Sequence, residues 1–306
     1  MSRATLLGRK RDFKDAVFFI IMMAIPTIQF LIFYIGVNFN TIKMAFQEYD
    51  PITGKFFFSL GNFETFFQEL QSMPYMKKMI VNSVVQGLFS MAVSIVLCLI
   101  FSLYIYRKQF GHKFFKVMLF VPSIVSAIVM TRILAAICDG LIPEILTKLS
   151  GEKVIGLLAN RDTRLSTVIF LAIWGGFGPS MLIYVGAMSG IDESISEAAQ
   201  LDGANFIQES WFITLPLIYP TLVVQIIASI SGIFMNQFGL YSFFRDTADV
   251  DIRTVGYWFY TQLQYANGDI SQYPYLSAVG LLCTLVTIPV AFGVRFSMNK
   301  LGPKTE

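Results

Sequence analysis

The run Glu197, Ala198, Ala199, Gln200, Leu201, Asp202, Gly203, followed after nine residues by Ile213, Thr214, Leu215 and Pro216, lies between two long apolar stretches. From Gly190 to Pro216 the chain carries five acidic residues, Asp192, Glu193, Glu197, Asp202 and Glu209, and no Lys or Arg. The chemistry such a segment offers is recognition, because five carboxylates beside apolar spans belong in water or against a basic partner. Ser194, with Glu197 three residues on, has the spacing of a capping box, and Ala198 and Ala199 are strong helix formers. Gly203 supplies the left-handed residue on which a helix ends. A short helix is therefore expected, with Ile195, Ala198, Ala199 and Gly203 forming a small-residue face that another protein's groove could receive. An ordinary solvated helical connection is the plainer alternative.

Other chemistries find little support. No GxxxxGK[ST] phosphate loop occurs, so the chain is not expected to bind and hydrolyse ATP itself. Cys98, Cys138 and Cys283 lie in or at the end of apolar stretches, where cysteine behaves as a small hydrophobe, and they have neither disulfide nor metal spacing. His112, the only histidine, sits in a short basic turn and reads as a solvated loop residue. No cofactor or metal is expected in this chain.

The elements that must hold the acidic loop are membrane spans. With 55% hydrophobic residues and 14% charged, against about 25% charged in soluble domains, the chain reads as an integral membrane protein. A span needs roughly 20 apolar residues, and six stretches qualify: 17–37, 80–106, 114–138, 166–189, 218–244 and 275–295. The first is too long for a secretion signal, lacks a small-residue cleavage pattern and reads as a retained helix. Six spans put both termini on one side. Lys and Arg are dense before residue 17, at 107–113 and after 294, and sparser over the longer opposite loops, so the termini are expected in the cytoplasm. The acidic loop falls on that side despite its charge.

The expected organisation is a tail at 1–16, a first span and outer loop at 17–79, a core at 80–297 carrying the acidic loop at 190–217, and a tail at 298–306. Leu60 to Leu70 suggests an amphipathic surface helix. The basic residues cluster beside the spans, where they suit lipid headgroups rather than nucleic acid.

None of the six stretches contains an acidic residue or histidine, which argues against proton coupling and against acid–base or metal catalysis inside the membrane. What they do contain is uncharged polar and aromatic material: Ser123 and Ser126 in the third, Trp174 and Gly176 in the fourth, and Gln225, Ser229, Ser231, Asn236 and Gln237 in the fifth. Amides and hydroxyls suit a neutral polyhydroxylated solute and aromatic faces stack on sugar rings. Hydrogen bonding between helices is the alternative, favoured for Ser123, Ser126 and Gln225. Arg132 is the charge well inside a span, about 9 Å of helix from the outer end. It can snorkel to the interface, contact an acidic solute or bridge to a partner.

The acidic run fits E-A-A-x3-G-x9-I-x-L-P at every fixed position, and so resembles the EAA loop in the membrane subunits of binding-protein-dependent ABC importers. The flanks, Asp202 to Ala204 and Leu215 to Leu217, resemble the carbohydrate branch. Leu60 to Phe63, Phe115 to Pro122, Ile173 to Gly176, Phe234 to Phe238 and Tyr273 to Ala278 resemble further elements of the first of the two permeases in such importers. The Gly-Gly-Pro turn many relatives carry after the fifth span is replaced by Arg245, Asp246, Thr247, Ala248 and Asp249.

The resemblance implies an all-α integral membrane protein of six transmembrane helices, with the type I ABC importer permease fold, in the bacterial cell membrane. It implies a second homologous permease, two ATP-binding cassette ATPase subunits that use ATP and Mg, an extracellular or periplasmic solute-binding protein, and a sugar or oligosaccharide as cargo. Glu197, Ala198, Ala199, Asp202 and Gly203 would couple to the ATPase, and Asn236 and Gln237 lie where relatives contact their sugar. A permease for another polar solute, acidic saccharides included, remains open, as does a secondary transporter or channel.

Overall fold

The computed structural model describes residues 3–303, and the tails expected at 1–16 and 298–306 lie partly outside that range. Four helices among the described residues are long and apolar enough to cross a membrane: Lys14–Ala45, Pro74–Tyr106, Arg161–Ser189 and Tyr273–Leu301. Two bent pairs raise the number to six if each is one span: His112–Ile124 with Ala127–Ser150, bent by 105°, and Phe206–Leu217 with Tyr219–Ser231, bent by 67°. Several helices outrun their apolar stretch because capping residues beyond it set the start. Pro74 opens the second, where its missing N–H costs nothing. Asn160 opens the fourth, its side chain accepting from the Asp162 N–H at 3.0 Å.

The bends have local causes. In the third span Val125 and Ser126 are extended, just after Pro122 has removed one helical donor. In the fifth, Ile218 leaves the helix at φ −91°, ψ 3°, between Pro216 and Pro220, whose rings each exclude a straight continuation. The fifth stretch, expected to be one helix over 218–244, stops at Ser231 instead. Residues 232–239 form turns, and a five-residue helix, Leu240–Phe244, follows.

Two compact units divide the chain. The first comprises residues 1–68 and 268–282. In it β1 (Gln47–Asp50) pairs antiparallel with β2 (Lys55–Phe58), Gln47 opposite Phe58 and Asp50 opposite Lys55. This hairpin departs from the all-helical expectation. Its turn is set by Asp50, whose carboxylate accepts from Ile52 N–H at 2.9 Å, and by Gly54 at φ +68°. The surface helix expected near residue 60 is present as Gly61–Ser72, and Asn62 ties its start to the Gln47 carbonyl at 2.7 Å.

The second unit, residues 69–267 and 283–306, holds the packed interior. Lipid is as apolar as leucine, so close fit rather than hydrophobic burial must join these helices. Ser102 donates to the Met181 carbonyl at 3.0 Å, and Phe101 meets Phe177 edge-on at 5.4 Å, joining the second span to the fourth. Gly178 lets the third approach the fourth: a Cβ there would stand 2.9 Å from the Phe120 Cα. Cys98, Phe177, Met181, Tyr184, Met188 and Ile218 form one buried cluster, and Val168, Leu171, Phe238, Leu240 and Tyr257 belong to another.

Between the fifth and sixth spans an additional helix, Val255–Ala266, opens on Thr254, whose hydroxyl accepts from Tyr257 N–H at 3.2 Å. It follows a loop held by charge. Asp251 pairs with Lys78 and Arg161, and Asp249 with Arg164. Asn82 donates to the Asp251 and Arg253 carbonyls at 2.9 and 3.0 Å, and Gln86 to the Ile252 carbonyl at 3.2 Å. Where the Gly-Gly-Pro turn would stand, Arg245 itself adopts φ +55°, and Tyr257 holds its carbonyl at 2.8 Å. Lys78 and Arg161 together push the Asp251 carboxyl down to about 2.

Candidate functional site

The acidic segment folds as the expected short helix, Glu193–Leu201. Its cap differs from the expectation. Asp192, not Ser194, is the N-cap, its carboxylate accepting from the Ser194 N–H at 2.9 Å, because an Asp two residues upstream lets the helix begin earlier. That hydrogen bond holds the Asp192 carboxyl below its usual range. A reciprocal capping box is present one helix later, between Asn205 and Gln208, at 2.9 and 2.8 Å. The helix ends as expected: Gly203 lies at φ +79°, and Ala204 N–H reaches back to the Ala199 carbonyl at 2.9 Å.

The residues expected to form one docking face divide. Ile195, Glu197, Ala198, Asp202 and Gly203 are exposed, whereas Ala199 is buried within the chain. The 3.6-residue period places Ala199 on the side that packs inward, so the second alanine of the motif fits the helix to its own protein. A Cβ at Gly203 would meet nothing within 4 Å, so the space beside it is open. Leu201, 88% exposed, adds an unpartnered apolar side chain at the same end. Glu209 also departs from expectation, for it is buried and paired with Arg107 at the end of the second span. Four carboxylates, not five, remain on the exposed side. A polar cavity of about 490 Å³ opens beside the helix and the end of the second span, walled by Tyr106, Arg107, Lys108, Glu193, Ser196 and Glu197 among others.

The residues expected along a pathway lie on separate elements of the third, fourth and fifth spans. Ser123 and Ser126 are exposed at the break of the third span, where Ser123 returns its hydroxyl to the Phe120 carbonyl at 2.7 Å. Trp174 lines an apolar cavity of about 550 Å³ with Leu134, Ile137, Phe170 and Leu171, and none of the other pathway candidates borders it. Gly176 is exposed and touches nothing a Cβ would meet. Asn236 and Gln237 fall in the non-helical 232–239 segment. The Asn236 Oδ1 accepts from Phe238 N–H at 2.8 Å, and its backbone carbonyl accepts from Thr254 at 3.0 Å. Gly256 is packed so closely that a Cβ would lie 2.5 Å from the Met235 carbonyl. Gln237 Oε1 is buried without a hydrogen-bond partner among the described residues. Arg132 is exposed and makes no ion pair among them.

The profile of the family described as binding-protein-dependent transport system inner membrane components matches residues 79–306. The chain belongs to this family. The permease is 25% identical over 285 residues to Protein LplB of Bacillus subtilis (strain 168), covering 91% of this chain and 88% of that one. It is 26% identical over 292 residues to the polygalacturonan/rhamnogalacturonan transport system permease protein YteP of the same organism, covering 93% and 88%. It superposes with a TM-score of 0.77 on a chain of the bacterial ABC transporter involved in the import of the acidic polysaccharide alginate, covering 95% of this chain and 99% of that one. Identity there is 19%, so that likeness bears on the fold alone. It agrees with the family in making this permease a membrane protein of type I importer architecture, as the motif implied.

Proposed function

We propose that this permease is one of two homologous membrane subunits of an ATP-driven importer for a saccharide, and that the Glu193–Leu201 helix couples it to a cytoplasmic ATPase. The observation that carries the reading is that the Glu197–Gly203 part of the motif forms the end of a capped, largely exposed helix stopped by an open Gly203 in a chain of this family. Such a helix can sit in a partner's groove, and its exposed carboxylates select a basic one. ATP-driven closure beneath the membrane would push the helix, and the bent third and fifth spans would turn that push into alternate access. A solute-binding protein would deliver the cargo from outside, and the termini would lie in the cytoplasm.

A saccharide cargo is supported by the names of the relatives, among them YteP and the arabinooligosaccharides transport system permease protein AraP of Bacillus subtilis (strain 168), 25% identical over 275 residues. An acidic saccharide is favoured by one further observation, the exposed and unpaired Arg132. The test is uptake by the assembled importer of a neutral and a uronic acid oligosaccharide of equal length. If Arg132 meets cargo, Arg132→Gln lowers uptake of the charged sugar selectively. Equal uptake of both sugars in wild type and variant would remove the acidic reading, and transport of neither would remove the saccharide reading.

A further inference from the structure

Glu209 is the one carboxylate of the acidic loop withdrawn from water, its side chain 5% exposed. A buried charge needs a partner, and here it has two. Its Oε1 pairs with the Arg107 guanidinium, itself 16% exposed, and accepts the Ser196 hydroxyl at 2.5 Å. Arg107 Nη1 also donates to Ser196 at 3.4 Å. The same guanidinium lies 5.7 Å from the centre of the Phe206 ring and 6.0 Å from that of Tyr106. Three segments therefore meet at one point: the end of the second span, distant in sequence, the middle of the coupling helix, and the short helix that follows it.

The backbone joins the coupling helix to the fourth span through Gly190–Asp192 and to the fifth through Ala204 and Asn205. It does not join it to the second. Buried ion pairs contribute little net stability and are better suited to fixing one arrangement against alternatives. We propose that Arg107 and Glu209, bridged by Ser196, are positioning residues that lock the coupling helix to the second span. Displacement of the helix is then carried into the second and fourth spans together, which are themselves joined through Ser102 and Phe177. Without the lock the helix still docks on the ATPase, but its motion is spent in the loop. This inference rests on the coupling role proposed above.

The test uses the whole importer, co-expressed and reconstituted, and reads solute moved per ATP hydrolysed for Arg107→Gln, Glu209→Gln and the double variant. Each single change is expected to lower that ratio about tenfold while the ATPase still co-purifies. The double change is expected to lower it no further, since the pair acts as a unit. An unchanged ratio, or losses that multiply in the double variant, would overturn the inference. Should a single variant fail to reach the membrane, Ser196→Ala leaves no buried charge unpaired, and a two- to threefold fall in the ratio is expected of it. An unchanged ratio there would overturn the inference equally. Gly203→Asp separates the two levels: if it transports normally the coupling role itself fails, and if it is dead while all the lock variants behave as wild type, only the lock fails.

Discussion

Glu197 and Glu209 belong to the same acidic loop and have opposite environments, one exposed and without an ion pair among the described residues, the other buried against Arg107. Their substitutions should therefore fail differently. Glu197→Lys leaves the chain's own contacts intact and is expected to weaken co-purification of the ATPase, with normal amounts of permease in the membrane; unchanged co-purification would remove the electrostatic role of Glu197. The motif's letters were legible as a short helix, but which acid faces out was not. Arg107 reads in sequence as one of three basic residues in a headgroup-facing turn, and only the return of the chain at residue 209 brings it a partner. Asn236 and Gln237 are separated in the same way. Asn236 holds the backbone of the break through Phe238, so Asn236→Ala is expected to lower abundance and to reduce transport of all solutes in step with it. Gln237, with a buried oxygen left unpartnered, is the better candidate for cargo contact. Losing one such hydrogen bond is worth about 0.5 to 1.5 kcal/mol, so Gln237→Ala should reduce transport a few-fold to about tenfold and unequally for saccharides of different length. Equal loss for a short and a long saccharide, tracking protein abundance, would return Gln237 to a structural role.

At the scale of elements, the spans were legible because composition and length alone decide them, whereas their interruptions were not. Residues 232–239 are apolar enough to read as helix, yet Phe238 and Gly239 adopt left-handed backbone and the segment is held by Thr254 and Gly256 from the following helix. Irregular backbone inside a membrane persists only where protein or a wet cavity satisfies it. That satisfaction comes from residues more than fifteen positions away, beyond any local pattern. A packing glycine was overlooked for a related reason. Gly176 drew attention through its neighbours in sequence, but Gly178 carries the contact between third and fourth spans. Overpacking a tight contact costs about 1 to 3 kcal/mol, so Gly178→Val should lower the yield and thermal midpoint of the purified protein while Gly176→Ala should not. Equal behaviour of the two would contradict the packing described here. The pairing of Asp251 makes the stability of the 245–254 loop depend on pH. Asp251 is held near 2 against an ordinary value of 3.8, so its pairing with Lys78 and Arg161 stabilises the loop fully above about pH 4 and is lost as pH falls toward 2. Protease resistance of the loop (residues 245–254) should exceed that of Asp251→Asn by a constant margin from pH 5 to 8, and the margin should vanish on acidification. A margin independent of pH would show that Asp251 acts without its charge.

At the scale of the whole molecule, the described part of the first span is exposed along its length: Phe18, Ile25 and Phe33 are 66%, 75% and 67% exposed. Such an apolar surface suits lipid, and composition is sufficient to identify it as a span. The two buried clusters that join the spans, and the acidic loop, belong to the unit of residues 69–267 and 283–306. The central claim is that an exposed helix ending at Gly203 transmits force from an ATPase. Gly203 has open space on its own chain, so a side chain placed there is felt by the partner; aspartate, which tolerates left-handed backbone better than most residues, tests this with little disturbance of the helix end. The decisive measurement is saccharide uptake by cells carrying the complete importer with Gly203→Asp, alongside the amount of permease in the membrane. Abolished uptake at wild-type abundance is the predicted result, and wild-type uptake would contradict the coupling role.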